Sequence, residues 1–290
     1  MSRSPTLTLT LTLLLPLACA TLRPTEAPDS TAAFEGTWVY DLPSLETRRN
    51  IAILNCPDGD GGVTPRLTLP QLGSLALKPV EPGVLRGDTD QGCHWRFVAT
   101  DAGLELSPAG QSCHNRVFDI DYTMNRWVLG TDGSEQVNAT SHNPGGDCTF
   151  VLPSGKRTLA DQRLPFVGRW RYGQPDPGTG LNVAQLFCAG SAPSAVPLPA
   201  SVQLSRTGAH ALLAHDDQGC TWEFDVLGGS AWLSPIPQRC QQRDGSALTL
   251  YYWSIAADEA RGFDILSGTR SAAGATCGYV VTAGELVNHP

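Results

Sequence analysis

Asp90-Gln91-Gly92-Cys93-His94-Trp95-Arg96-Phe97 returns later in the chain as Asp217-Gln218-Gly219-Cys220-Thr221-Trp222-Glu223-Phe224. In both copies Cys, Trp and Phe take alternate positions with polar or charged residues between them, the period of a strand with one buried face. The return of so specific an octet makes the chain a tandem duplication. Outward from it, Phe34-Glu35-Gly36-Thr37-Trp38 is matched by Phe166-Val167-Gly168-Arg169-Trp170, and the stretch ending at Cys56 by the one ending at Cys188, both at a displacement of 132. Cys93 to Cys220 and Cys113 to Cys240 are displaced by 127, and Cys148 to Cys277 by 129. Insertions therefore fall between the cysteines, where loops belong.

The 290 residues divide accordingly into a signal peptide at 1–18, a flexible tether at 19–33 and two repeats at 34–160 and 166–290. Thirty Gly and 22 Pro point to many turns, and no stretch sustains a helical apolar period. Strands are readable at Arg66–Leu69, Ser74–Leu77, Cys93–Thr100, Val117–Tyr122, Arg126–Leu129 and Cys148–Leu152. The second copy shows Ser201–Leu204, Ala209–Ala214, Cys220–Val226, Ala247–Ile255, Gly262–Leu266 and Cys277–Val281. Turn residues separate nearly all of them, which predicts an all-β chain: two antiparallel meander barrels of about eight strands each. A net charge of −8 offers phosphates no broad basic surface, so nucleic acid is not expected as a partner.

The N-terminus reads as an export signal, with Arg3 ahead of a Leu/Thr run from Leu7 to Leu17 and then Ala18-Cys19-Ala20. Two processing rules fit. Cleavage after Ala20 would be ordinary secretion. Leu17-Ala18 before Cys19 resembles a bacterial lipobox, with Pro16 where Leu is commonest, and would make Cys19 a lipidated first residue. Nine cysteines divide four and four between the repeats and leave Cys19 over, which favours the lipid anchor and so a membrane as partner. The expected location is the outer membrane or cell surface, otherwise the periplasm or medium.

Four cysteines per exported domain allow three pairings. Hairpin signals near 103 and 230 sit midway between Cys93 and Cys113 and between Cys220 and Cys240, so these pairs are expected to be bridged. Cys56 is then left with Cys148, and Cys188 with Cys277. Zinc is disfavoured because no close Cys-x-x-Cys pair is present, and no cofactor is expected.

Gly36-Thr37-Trp38 and Gly168-Arg169-Trp170, each opening an exported β repeat, resemble the Gly-x-Trp start of lipocalin-like barrels. The repeat as a whole looks like the Cys-bearing Gly-x-Trp domains of uncharacterised bacterial lipoproteins. The resemblance implies barrel architecture and an envelope location more than an activity. Small barrels opened by Gly-x-Trp also resemble bacterial metalloprotease inhibitors, in which an N-terminal segment inhibits; residues 21–33 would have to serve here.

Candidate chemistry is sparse. His94 and His114 each follow a cysteine of a proposed bridge and would project together near Asp119 and Asp121 as a metal site, but the second copy has Thr221 and Gln241 in their places. Asp58-Gly59-Asp60 suggests calcium but lacks the later Glu of an EF-hand loop, and a plain turn is the better reading. The seven Trp, at 38, 95, 127, 170, 222, 232 and 253, fit core packing better than a ligand pocket. Neither Gly-x-Ser-x-Gly nor Ser-x-x-Lys occurs, and no catalytic residue is assigned. The expectation is a non-enzymatic envelope lipoprotein whose barrels bind or build; the alternatives are a carrier of a small apolar molecule and an inhibitor of secreted proteases.

Overall fold

The computed structural model describes residues 31–57, 67–115, 120–143, 146–160 and 166–289. Its first repeat forms β1 (Gly36–Tyr40), β2 (Ile51–Asn55), β3 (Leu67–Pro70), β4 (Ser74–Glu81), β5 (Val84–Thr89), β6 (His94–Thr100), β7 (Gly103–Leu106), β8 (Gln111–Asn115), β9 (Ile120–Leu129), β10 (Ser134–His142) and β11 (Cys148–Leu159). The second forms β12 (Gly168–Tyr172), β13 (Val183–Cys188), β14 (Ser194–Pro197), β15 (Ser201–Gly208), β16 (Ala211–Asp216), β17 (Thr221–Leu227), β18 (Ser230–Leu233), β19 (Gln238–Gln241), β20 (Ala247–Ala257), β21 (Arg261–Ala272) and β22 (Ala275–His289).

Each repeat closes eight antiparallel strands into a barrel. The first runs β1-β4-β5-β6-β7-β9-β10-β11 and back to β1, and the second repeats that order from β12 to β22. The path departs from a plain meander because the long last strand serves two partners. The Arg157–Leu159 end of β11 pairs with β1, while Thr149–Val151 pairs with β2. The β2–β3 and β13–β14 hairpins therefore lie outside the closed ring, with β3 and β14 as outermost strands.

Alternation in β6 sends Trp95 and Phe97 inward, and in β17 Trp222, Phe224 and Val226. Trp127 packs edge-on against Trp95 and Phe97, at centroid distances of 6.3 and 5.3 Å. Trp253 does the same to Trp222 and Phe224, at 6.3 and 5.1 Å. The Gly of each opening motif is needed for its backbone: Gly36 has φ +121°, and a Cβ there would lie 2.9 Å from Leu159. The motif's Trp then turns back on its own Phe. Trp38 Nε1 donates to the Phe34 carbonyl at 2.7 Å and Trp170 Nε1 to that of Phe166 at 2.8 Å.

Disulfides join Cys56 to Cys148, Cys93 to Cys113, Cys188 to Cys277 and Cys220 to Cys240. A backbone hairpin does not hold Cys93 opposite Cys113, because β6 pairs with β7 while β8 pairs with β9. The Gln111 side chain bridges the gap instead, its Oε1 accepting from Arg96 N at 2.8 Å and its Nε2 donating to Arg96 O at 2.9 Å. Gln238 makes the same pair of bonds to Glu223, both at 2.8 Å.

Two expected strands, ending at Tyr122 and beginning at Arg126, are parts of the one strand β9. Asn125 is absorbed as a bulge between the Arg126–Asn138 and Met124–Ala139 pairs. The barrels meet through Leu72 and Leu42 of the first and Ala256, Phe263 and Ile265 of the second. Across this contact Tyr252 donates to Asp90 Oδ2 at 3.3 Å.

Candidate functional site

The inward face of β10 is Glu135, Val137, Ala139 and Ser141. Three of these four side chains are small or polar, so the strand leaves space where a Leu or Phe would fill it. A cavity of about 760 Å³ results, inside the range of small-molecule sites. Tyr40, Trp127 and Arg157 lie at its lower end, and Val137, Ala139 and Ser141 line it upward to the Cys56–Cys148 bridge. Trp95, Met124 and Phe150 complete an apolar wall, and the outer surface of barrel 2 borders the space through Phe187, Ile265, Val280 and Thr282.

The lower end is polar, and its bonds converge on one oxygen of Glu135 while the other, Oε2, has no hydrogen-bond partner among the described residues. Arg157 is 4% exposed, and its Nε donates to Glu135 Oε1 at 2.7 Å, where Trp127 Nε1 also donates at 2.7 Å. The guanidinium carbon stands 3.5 Å from the centre of the Tyr40 ring, in cation–π contact. Burial pushes the Tyr40 hydroxyl above its ordinary range, against the pull of Arg157.

Barrel 2 has the acid without the base. Asp264 stands across from Gly284 as Glu135 does from Gly155, but Leu286 takes the place of Arg157. Asp264 Oδ2 accepts from the Tyr172 hydroxyl at 2.5 Å and from Trp253 Nε1 at 2.8 Å, while Oδ1 has no hydrogen-bond partner among the described residues. Burial pushes its pKa up to about 7. A carboxyl with a folded pKa above its unfolded value, about 3.9, stabilises fully below that value and loses the contribution as pH rises through the folded one. The unfolding free energy from urea titrations should accordingly fall between pH 5 and pH 7, by about 2 kcal/mol at roughly 1.4 kcal/mol per pH unit for one proton. In Asp264→Asn this component of the slope should vanish; an unchanged slope would rule Asp264 out as its source.

The space itself is not repeated. Arg270 faces Cys277 across the sheet as Ser141 faces Cys148. Its Nη2 reaches Asp244 at 2.5 Å and its Nε reaches Ser246 at 3.1 Å. Leu248 and Tyr279, both buried, stand where Tyr122 and Phe150 stand in barrel 1. Of these three positions only that of Arg270 carries a much larger side chain than its barrel 1 counterpart, Ser141.

The proposed metal pair is partnered otherwise. His94 Nδ1 lies 2.8 Å from Asp88 Oδ1, beside Arg86, and His114 Nδ1 lies 2.9 Å from Asp121 Oδ1. Among the described residues no three His, Cys, Asp or Glu side chains gather to hold a metal. Asp58, Asp60, Asp119, Cys19 and residues 21–30 lie outside the described residues. Of the seven Trp, Trp95 and Trp127 line the cavity. Sequence reasoning passed over Glu135 and Arg157. The signal for Glu135 was present: an acid recurs at Asp264 at the displacement of 129 that relates Cys148 to Cys277.

No family model matches the chain, and no curated protein matches it in sequence. Among solved structures, a candidate outer membrane protein of Bacteroides fragilis is 11% identical, covers 90% of this chain and 100% of its own, and superposes with a TM-score of 0.26. At that overlap nothing about fold or site is carried over from it.

Proposed function

We propose that this is an exported, non-enzymatic binding protein of the cell envelope, in which barrel 1 holds a small apolar molecule and barrel 2 is a filled supporting module. The observation that carries the reading is the cavity of about 760 Å³ in barrel 1, beside which Ser141 stands where barrel 2 has the larger Arg270. A duplicate kept only for structure has no use for the space, since unfilled apolar volume costs stability. Four disulfides suit an oxidising compartment. Lipidation at Cys19 would hold the receptor at a membrane surface, two or more acyl chains being what stable anchoring needs. Mass spectrometry of the mature N-terminus tests that part.

The binding part is tested by plugging the barrel. Ala139 is inward-facing on β10 and lines the cavity, so Ala139→Phe should fill open space rather than strain a packed core. The variant should keep its unfolding midpoint and lose binding of an apolar fluorophore by at least about tenfold, as expected when an occluded pocket excludes its ligand. Equal binding by both proteins would place the fluorophore elsewhere and remove the reading.

A further inference from the structure

One carboxylate among the described residues lines the cavity, that of Asp90, and one cation, that of Arg157. The cation is already matched by Glu135 at 2.7 Å. The carboxylate is not. Asp90 Oδ1 accepts from the Ser74 amide at 3.3 Å and Oδ2 from the Tyr252 hydroxyl at 3.3 Å, both long and both from neutral donors. Its counterpart Asp217, half-buried like Asp90, takes the Ala200 amide at 3.1 Å. Asp90 is half-buried too, but it lies against Tyr252 of barrel 2 and lines the cavity. A half-buried carboxylate with long bonds from neutral donors has acceptor capacity to spare, and a cation brought to it gains charge-assisted hydrogen bonds beside an apolar wall.

Resting on the reading of barrel 1 as a binding site, we propose that its ligand is a small amphipathic amine, with an apolar body against Trp95, Met124, Val137 and Phe150 and an ammonium head at Asp90. The polar neighbours of that corner suit a donor-rich head as well. Gln91 Oε1 accepts from Asn115 Nδ2 at 2.5 Å, and both residues line the cavity beside Asp90. An anionic head would meet Asp90 and find Arg157 already engaged. The ionisable groups facing Asp90 from neighbouring elements are Arg157 on β11 and Tyr252 on β20. Burial of the Tyr252 hydroxyl holds it well above its usual range, and Arg157 stays protonated, so neither changes charge near neutrality. Burial raises the Asp90 carboxyl to about 6.

Calorimetric titration of the full mature, oxidised chain with three probes of one body, octylamine, 1-octanol and octanoate, separates the possibilities. Octylamine should bind about tenfold or more tighter than octanol at about pH 8, the scale of a charge-assisted hydrogen bond over a neutral one. Octanoate should bind weakest. The amine preference should shrink toward unity at about pH 5, and Asp90→Asn should bind octanol normally with no amine preference. Amine and alcohol binding equally at about pH 8 would overturn the proposal and leave the apolar cavity standing. Binding of none of the three would overturn both. A preference that survives in folded Asp90→Asn would remove Asp90 as its source. If that variant does not fold, the pH series on the wild type decides, since a preference unchanged at about pH 5 is equally fatal.

Discussion

Arg157→Leu should cost barrel 1 roughly 3–5 kcal/mol, because removing one partner of a buried pair leaves the other charge without compensation. Glu135 is 2% exposed and would keep neutral donors alone, the Trp127 indole among them, while Tyr40 would lose the cation stacked on its ring. The informative comparison is the double variant Glu135→Leu/Arg157→Leu. Replacing a buried pair with apolar side chains is often close to neutral, so the double variant should regain most of the loss. Urea unfolding followed by Trp emission measures both. A double variant as unstable as the single would mean that the cost arises from lost packing around Arg157, not from a stranded carboxylate.

The second large effect concerns the bridges that fasten β2 to β11 and β13 to β22. Cys188 and Cys277 are 89 residues apart, Cys220 and Cys240 only 20. Under the chain-entropy account a loop of the first size restricts the unfolded chain by about 4.5 kcal/mol and the second by about 3.3 kcal/mol. Cys188→Ala/Cys277→Ala should therefore lower the unfolding free energy of barrel 2 more than Cys220→Ala/Cys240→Ala does. The reverse order would show that the short bridge, which ties β19 to the start of β17 where no backbone ladder runs, fixes native geometry and does more than shorten the unfolded chain.

The closed all-β architecture was legible because it depends on local period. Trp95 and Phe97, and Trp222 and Phe224, announce buried faces whatever surrounds them. The cavity was not legible for the converse reason. Glu135, Val137, Ala139 and Ser141 alternate inward as strictly as any core strand, but a period built of small and polar residues carries little apolar contrast, so β10 does not register as a strand in sequence. Arg157 was hidden differently. It lies on β11 close to Pro153 and Gly155, and its partners Tyr40 and Glu135 come from the first strand and the neighbouring one. Only barrel closure brings the three together. Asp90 stood in the octet that revealed the duplication, yet only the second barrel lying against it brings the Tyr252 hydroxyl to its carboxylate.

The placement of the β2–β3 and β13–β14 hairpins outside the rings has a consequence for crowding. The rings close strand to strand except where side chains span β6–β8 and β17–β19, and the hairpins end the sheets at β3 and β14. Each of those strands is only four residues long and ends in proline, Pro70 in one and Pro197 in the other. Short length and a missing amide donor are the devices by which β proteins refuse edge-to-edge pairing. Copies concentrated side by side on a surface would thus find little to zip onto, and the sheet ends where each chain ends it.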